Sequence, residues 1–258
     1  MRRLVLPTVL LLAVLVGAGV ASGELSQQGN LKLAFNARIA PIKLPRKKPA
    51  SVTMQVSGAI HTANGDQPPE LRKISIAVNR YGQVSTRGLP VCDSAELEQT
   101  TSKGALESCR GSLVGHGRFR AYVKFPGINA VAVTGQALVF NTSKNGRPAL
   151  ALHIYINRPA QVTFVVPFTI RRLKEGTFGT VFTAHIPRIA GSSGYVTNLS
   201  LKLFRRYRYH GRERSFLTAR CPVPDGVPGA VFTLARGNFV FANGQRLTST
   251  LERTCWAR

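Results

Sequence analysis

The sequence predicts an all-β protein, an antiparallel sandwich of jelly-roll type. Three observations carry this expectation. Short segments of alternating apolar and polar residues recur along the chain, turn residues (Gly, Pro, Asn) separate them at regular spacing, and a helical period is nowhere sustained. With 258 residues, 44% hydrophobic content and 18% charged content, the chain is long and apolar enough to bury a sizeable core.

Taken in order, Met1-Arg2-Arg3 is a positive n-region, 4–16 an apolar run interrupted only by Pro7 and Thr8, and 17–23 a tract of small residues. This is an export-signal pattern over 1–21, with cleavage expected after Ala21 or, as second choice, after Gly23. The competing reading is a retained anchor, because 4–21 is 18 residues, just long enough to span a bilayer. Strands are then predicted over 31–39, 52–61, 71–78, 118–125, 130–141 and 149–156. Further strands are predicted over 161–171, 177–186, 195–207, 214–219, 230–235 and 239–242. Asn145-Gly146 supplies the left-handed conformations of a tight hairpin, and 63–69 and 242–245 read as turns in the same way. Gly115 and Gly117, inside an otherwise strand-like stretch, predict a bulge or a close backbone approach. Pro167 suggests a sheet edge.

One helical insertion stands out near 93–107. Asp93-Ser-Ala-Glu96 has the form of a capping box, so 93–109 reads as one or two helical turns clipped by Cys92 and Cys109. The other two cysteines are Cys221 and Cys255. No pair has C-x-x-C or zinc-ligand spacing, and an even count behind an export signal predicts two disulfides. Three pairings are open on sequence grounds, and the two local ones, Cys92–Cys109 and Cys221–Cys255, are favoured. Closing such loops stabilises by about 3 to 4 kcal/mol each in the chain-entropy account.

The chain also resembles itself. Pro41-Ile-Lys-Leu-Pro-Arg-Lys-Lys48 is similar to Pro167-Phe-Thr-Ile-Arg-Arg-Leu-Lys174, and Met54-Gln-Val-Ser-Gly-Ala-Ile60 lies over Thr180-Val-Phe-Thr-Ala-His-Ile186. Ile74-Ser-Ile-Ala-Val78 matches Leu199-Ser-Leu-Lys-Leu203, Arg80-Tyr81 matches Arg206-Tyr207, and Gly117-Arg-Phe119 faces Gly237-Asn-Phe239. The expectation is two related β modules, 24–147 and 148–258, each with its own cysteine pair. No linker separates them, so they should pack together or share sheets.

Catalytic chemistry finds little support. In Gly111-Ser-Leu-Val-Gly115 the serine stands one place too early for a nucleophile elbow, and there is no H-E-x-x-H, P-loop or dinucleotide fingerprint. The five histidines are scattered singly, and His153 and His185 read as structural members of apolar strands. Asp66 and Glu70 are the one pair of acids close together in a loop, and Asn64-Gly-Asp66 is a good turn in its own right. The sequons at Asn141 and Asn198 read as chance. The expectation is a protein without catalytic residues, metal or cofactor.

Charge points elsewhere. With 35 Lys+Arg against 11 Asp+Glu the net charge is +24, which favours an anionic partner: an anionic polymer, a wall or membrane surface, or nucleic acid bound non-specifically. The densest cluster is Lys202, Arg205, Arg206, Arg208, Arg212 and Arg214, offset only by Glu213 and interleaved with Phe204, Tyr207 and Tyr209. On a strand, Lys202, Phe204, Arg206 and Arg208 share one face, opposite Leu201 and Leu203. Arg171, Arg172 and Lys174 are candidates to extend the surface. Arginine forks bind phosphate or carboxylate bidentately and stack on rings. The expected function is a secreted, non-enzymatic β-sandwich protein of the cell envelope or exterior that binds an anionic polymer or surface. The alternatives are a carbohydrate- or small-ligand-binding sandwich, which asks for an aromatic cleft with two carboxylates, and a structural surface protein assembling through edge strands.

Several spaced blocks resemble a family of uncharacterised secreted bacterial proteins. These are Leu89-Pro-x-Cys92, Ala105-x-x-x-Cys109, Leu113-Val-Gly-x-Gly117, Gly191-x-x-Gly-Tyr-Val-Thr197, Leu201-x-Leu-x-Arg-Arg-Tyr-Arg208 and Arg220-Cys-Pro222. The resemblance covers most of the chain from about Ser51 onward. It implies export and a β-rich fold, and brings no activity, cofactor or site residue.

Overall fold

The computed structural model describes residues 24–123, 130–158, 160–188 and 194–258. The predicted export segment and most of the Gly191-Ser-Ser-Gly194 loop lie outside the described residues. The strands of the first half are β1 (Glu24–Gln28), β2 (Leu31–Ala40), β3 (Lys43–Leu44), β4 (Ala50–Ser51), β5 (Thr53–Thr62), β6 (Leu71–Asn79), β7 (Gly82–Val84), β8 (Leu113–Val123) and β9 (Val131–Lys144). Those of the second half are β10 (Arg147–Ile156), β11 (Val162–Arg172), β12 (Phe178–His185), β13 (Gly194–Leu203), β14 (Arg206–Tyr209), β15 (Arg212–Ser215), β16 (Leu217–Ala219), β17 (Gly229–Phe241) and β18 (Arg246–Ala257). Helices α1 (Ser94–Leu97) and α2 (Ser102–Cys109) fall between β7 and β8.

Thirteen strands form one sheet in the order β1-β2-β5-β13-β8-β9-β10-β11-β12-β6-β17-β18-β3, antiparallel except for the short β18–β3 pairing. The sheet curls until its two ends meet, so it acts as a sandwich. The seam is made by side chains rather than by a ladder. Ser26 Oγ donates to the Thr248 carbonyl at 2.8 Å, the Thr250 N–H donates to Glu24 Oε2 at 3.0 Å, and Arg253 Nε donates to the Ala37 carbonyl at 3.0 Å. Inward positions of the alternating strands are Leu33 and Phe35 on β2, Leu150, Leu152 and Ile154 on β10, Val166 on β11 and Phe239 on β17, all buried. Burying such a side chain stabilises by about 1.5–3 kcal/mol, and this spacing is what selects strands over helices here.

One end of the curled sheet is shut by a second sheet, β4-β16-β7, whose Val84, Phe216 and Leu217 are buried against Ile39, Met54 and Leu203. The Cys221–Cys255 disulfide ties the exit of this small sheet to β18, and Cys92–Cys109 clips the helical insertion. Both favoured pairings are therefore present. The insertion covers the outer side of β9 and β10, where Leu97 and Ala105 pack on Leu138, Phe140 and Ala151. That is why β10 reads as a nearly continuous apolar run: both of its faces are buried. Asp93 caps α1 by accepting from the Ala95 N–H at 3.0 Å, and Thr101 caps α2 by accepting from the Gly104 N–H at 3.1 Å. His153, fully buried on β10, bonds the Thr100 carbonyl through Nε2 at 3.2 Å, and Thr163 Oγ1 donates to the same carbonyl at 2.9 Å.

The two halves share a ladder geometry. On β5 and β13, Met54 faces Leu203, Val56 faces Leu201 and Gly58 faces Leu199; on β12 and β6, Thr180 faces Val78, Phe182 faces Ile76 and Ala184 faces Ile74. Across the next strand, Leu201 faces Gly117 and Leu199 faces Phe119, while Ile76 faces Gly237 and Ile74 faces Phe239. These are the residues that the sequence comparison sets against one another. Even the irregularities coincide, between Leu113 and Gly115 on β8 and between Thr233 and Ala235 on β17. In the strand order β13 sits between β5 and β8, and β6 between β12 and β17. The boundary between 147 and 148 falls inside the β9–β10 ladder. The first matched block does not follow this geometry. Phe35, facing Gly58, stands where Phe168 faces Ala184, so 41–48 and 167–174 are not equivalent.

Three further expectations need correction. Pro167 is not at a sheet edge: it lies within β11 opposite Ala151, one residue before the β12 ladder begins at Phe168, where it has a partner on one side only. The strand predicted over 195–207 breaks after Leu203 and resumes at Arg206. The segments 230–235 and 239–242 are one strand, β17, and its long partner β18 was not foreseen. The β18 sequence is rich in Thr, Ser and charged residues, and its buried side is marked by Leu247, Leu251 and Cys255 with the polar Ser249 among them.

Candidate anion-binding face

The outward residues of β2, β5, β13, β8 and β9 form cross-strand rows. Arg38, Gln55, Lys202 and His116 are successive neighbours in one row, and Asn36, Ser57, Ser200, Arg118 and Gln136 in the next. Arg120 and Thr134 follow, beside Asn198. Neighbouring strands are about 4.8 Å apart and same-face residues along a strand about 6.6 Å, so these side chains make a close lattice of donors. The surface is concave, with a hollow of 1120 Å³ over Arg118 and Arg120 and another of 340 Å³ over Arg38 and Lys202. Glycines allow the strands to crowd there. A Cβ on Gly117 would strike the Ser200 carbonyl oxygen, as the glycine pattern foresaw.

The five strands carry no Asp or Glu. Among the described residues none of Arg38, Arg118, Arg120 or Lys202 pairs with a carboxylate. Aromatic rings stand at both ends of the lattice. At one end His116 and Phe204 meet edge-on at 5.6 Å, with Lys202 Nζ 5.4 Å from the Phe204 centroid. At the other end Tyr122 and Tyr195 stack at 5.2 Å. Burial, and secondly the neighbouring Tyr122, push the Tyr195 hydroxyl above its ordinary pKa, so it is a neutral donor.

Of the cluster singled out in the sequence, only Lys202 and Phe204 belong to this lattice. Arg206–Tyr209 and Arg212–Ser215 form a separate hairpin whose turn is made by His210 and Gly211 at φ of 51° and 71°. Cross-strand pairing puts Arg206 and Arg208 on one side, with Glu213 3.9 Å from Arg206. Arg212 and Arg214 lie on the other side with Tyr209 and Tyr207. The arginines are exposed, yet they do not converge on one face. Arg205 is half-buried, with its Nε enclosed and unpartnered. Arg172 donates to the Val84 carbonyl, which ties the end of β11 to the small closing sheet, and the Lys174 carbonyl accepts from Arg80 at 2.9 Å. Arg171 faces outward on the opposite wall.

Arg38, Arg118, Arg120 and His116 were missed. His116, Arg118 and Arg120 stand at alternate positions of β8, where their spacing dilutes the charge, and Arg38 lies far away in sequence on β2. The available signal was that each occupies a polar position of the alternation. Asp66 is spent in its turn with Asn64, and Glu70 pairs with Arg72 at 2.6 Å. Asn141 is buried and donates to the Pro90 carbonyl at 2.8 Å. No helix of the described residues is long and apolar enough to cross a membrane. The chain matches no model of a protein family, no curated protein and no solved structure in the comparisons made.

Proposed function

We propose that the protein is exported and binds a linear anionic polymer, non-catalytically, across the concave face of β2, β5, β13, β8 and β9. The observation that carries this reading is the pair of adjoining hollows that together cover four bases, without a carboxylate on any of the five strands that form them. Unpaired cations in a concavity focus the field and draw in anions, while Asn36, Ser57, Ser200 and Gln136 offer further hydrogen bonds along the chain of a polymer. The flanking rings suit stacking by sugar or base rings. The two disulfides fit an oxidising compartment, which agrees with export. A carbohydrate-active reading asks for paired carboxylates, and the acids of the described chain lie off this face. The test is retention on heparin or polyphosphate beads through a salt gradient. Elution well above physiological salt, lowered by Arg38/Arg118/Arg120→Gln, supports the reading; elution at or below it, or no change in the variant, overturns it.

A further inference from the structure

The interior of the curled sheet is not filled. A cavity of 190 Å³ lies between the walls, running from Met54 and Leu203 toward Ile60, Ile156 and Ile186. A smaller space of 70 Å³ continues it under the closing sheet. Protein interiors rarely leave voids much larger than a water molecule, so an opening of this size is unusual. Among the described residues its wall is apolar almost throughout and no charged residue lines it; of its few polar members Ser57 and Asn198 belong to the outward rows while Thr197 Oγ1 donates to the Arg120 carbonyl at 3.2 Å. Water needs two to four polar partners to stay in such a space, and none is offered.

Gly58 lines this space from an inward position of β5, and a Cβ on it would meet only the Ala34 carbonyl oxygen, at 4.0 Å. In the matching half the same place is held by Ala184, which is fully buried.

We propose that this cavity is a binding site for a small uncharged apolar molecule, of the bulk of a single aromatic ring or a short hydrocarbon segment. Cavities of about 150 Å³ lined by Leu, Ile and Phe stay dry and take up benzene. The present one is of that size and chemistry, and it selects against polar ligands because a hydroxyl placed inside finds no partner. The site lies on the inner side of the strands that carry the outward basic face, and Ser57, Gly58 and Asn198 line both spaces.

Benzene and phenol are the probes, added to the full oxidised protein in a sealed calorimeter. Benzene is expected to raise Tm with a saturable dependence on concentration, and phenol to act about tenfold more weakly because its hydroxyl is stranded. Gly58→Leu should abolish the benzene shift, and Gly58→Ala should reduce it. The absence of a saturable benzene shift, equal shifts by benzene and phenol, or an undiminished shift in a folded Gly58→Leu would each overturn the proposal. Should Gly58→Leu fail to fold, an undiminished shift in Gly58→Ala overturns it instead.

Discussion

The two halves of the curled sheet present the same ladder to solvent and decorate it differently. The row Arg38, Gln55, Lys202, His116 has as its geometric counterpart Arg171, Val181, Ala77, Arg236. The row Asn36, Ser57, Ser200, Arg118, Gln136 answers to Thr169, Thr183, Ser75, Asn238, Thr248. On the first face the bases are neighbours at the centre of a hollow. On the second they stand at the margins with Val181 and Ala77 between them, and Arg236 is occupied by the Phe178 ring at 5.2 Å and by Thr250 Oγ1 at 3.3 Å. The ladder itself therefore does not require the central bases. What distinguishes the faces is arrangement rather than the number of charges.

Two variants that remove equal charge break or confirm that comparison. Arg38/Arg118/Arg120→Gln should weaken binding to heparin or polyphosphate by about thirtyfold, the sum of three exposed charge contacts. Lys73/Arg171/Arg236→Gln lowers the net charge by the same amount and should cost about twofold, through the long-range field alone. The slope of affinity against salt should also flatten more in the first variant. Equal losses in the two would mean that net charge is all that matters and that the concave face has no special part.

The glycines at matching positions sharpen the same contrast at the level of stability. A Cβ on Gly117 would run into the Ser200 carbonyl oxygen, which is part of the ladder and cannot move away. A Cβ on Gly237 would meet the Phe239 ring at 2.6 Å, and a ring can turn. Gly117→Ala should cost about 3 kcal/mol and Gly237→Ala about 1 kcal/mol, measured by urea unfolding. The concave face is then the more constrained of the two, since its crowding depends on a bare backbone at Gly117.

The fold was legible because its signals are local. Alternation marked β2, β5, β6 and β11–β13, a short apolar run bounded by turns marked β10, Asn145-Gly146 marked the β9–β10 turn, and the cysteine count with Asp93 marked the clipped helices. The exceptions have physical causes. β18 has too few apolar residues to show alternation against its many threonines, and β11 tolerates Pro167 because one neighbour is absent at that residue. The site was poorly legible for the opposite reason. Arg38, Arg118 and Lys202 meet only after β13 has been inserted between β5 and β8, and that long-range pairing leaves no mark in any single stretch. The run of arginines beyond Phe204, dense in sequence, is divided by the pleat of its hairpin.

The helical insertion is a further asymmetry: it covers the outer side of β9 and β10, whereas β18, the counterpart of β9, carries no such cover. Beneath it, burial holds the His153 imidazole below its ordinary pKa of 6.5, against a smaller opposing effect of its bond to the Thr100 carbonyl. The unfolded chain thus takes up this proton at higher pH than the folded one. The associated stability is fully present above about pH 6.5 and is lost as pH falls below it. Urea unfolding should therefore become easier between pH 7 and pH 5. Amide exchange should show it first in α1 and α2, which cover the ring that must take up a buried charge, and later in β12 and β17. Uniform loosening of both halves would assign the acid effect to general charge repulsion instead.

The smallest effect is expected where the sequence looks most basic. After β6 the chain passes directly into β7 and the closing sheet; after β13 it makes the β14–β15 hairpin before entering that sheet through β16. The hairpin is seated by two tyrosines. Tyr207 OH donates to the Arg87 carbonyl at 2.8 Å, and the Tyr209 ring fills the space beside Gly88, whose φ of 80° also favours glycine there. The arginines take no part in that seating. Arg206 is partly offset by Glu213, and Arg212 and Arg214 face away from Arg206 and Arg208, so no flat partner can touch all four. Arg206/Arg208/Arg212/Arg214→Ser removes four charges, one more than the concave-face variant, yet should weaken polymer binding by only about twofold and leave Tm within a few degrees. A loss equal to or larger than that of Arg38/Arg118/Arg120→Gln would move the binding site from the concave face to the hairpin.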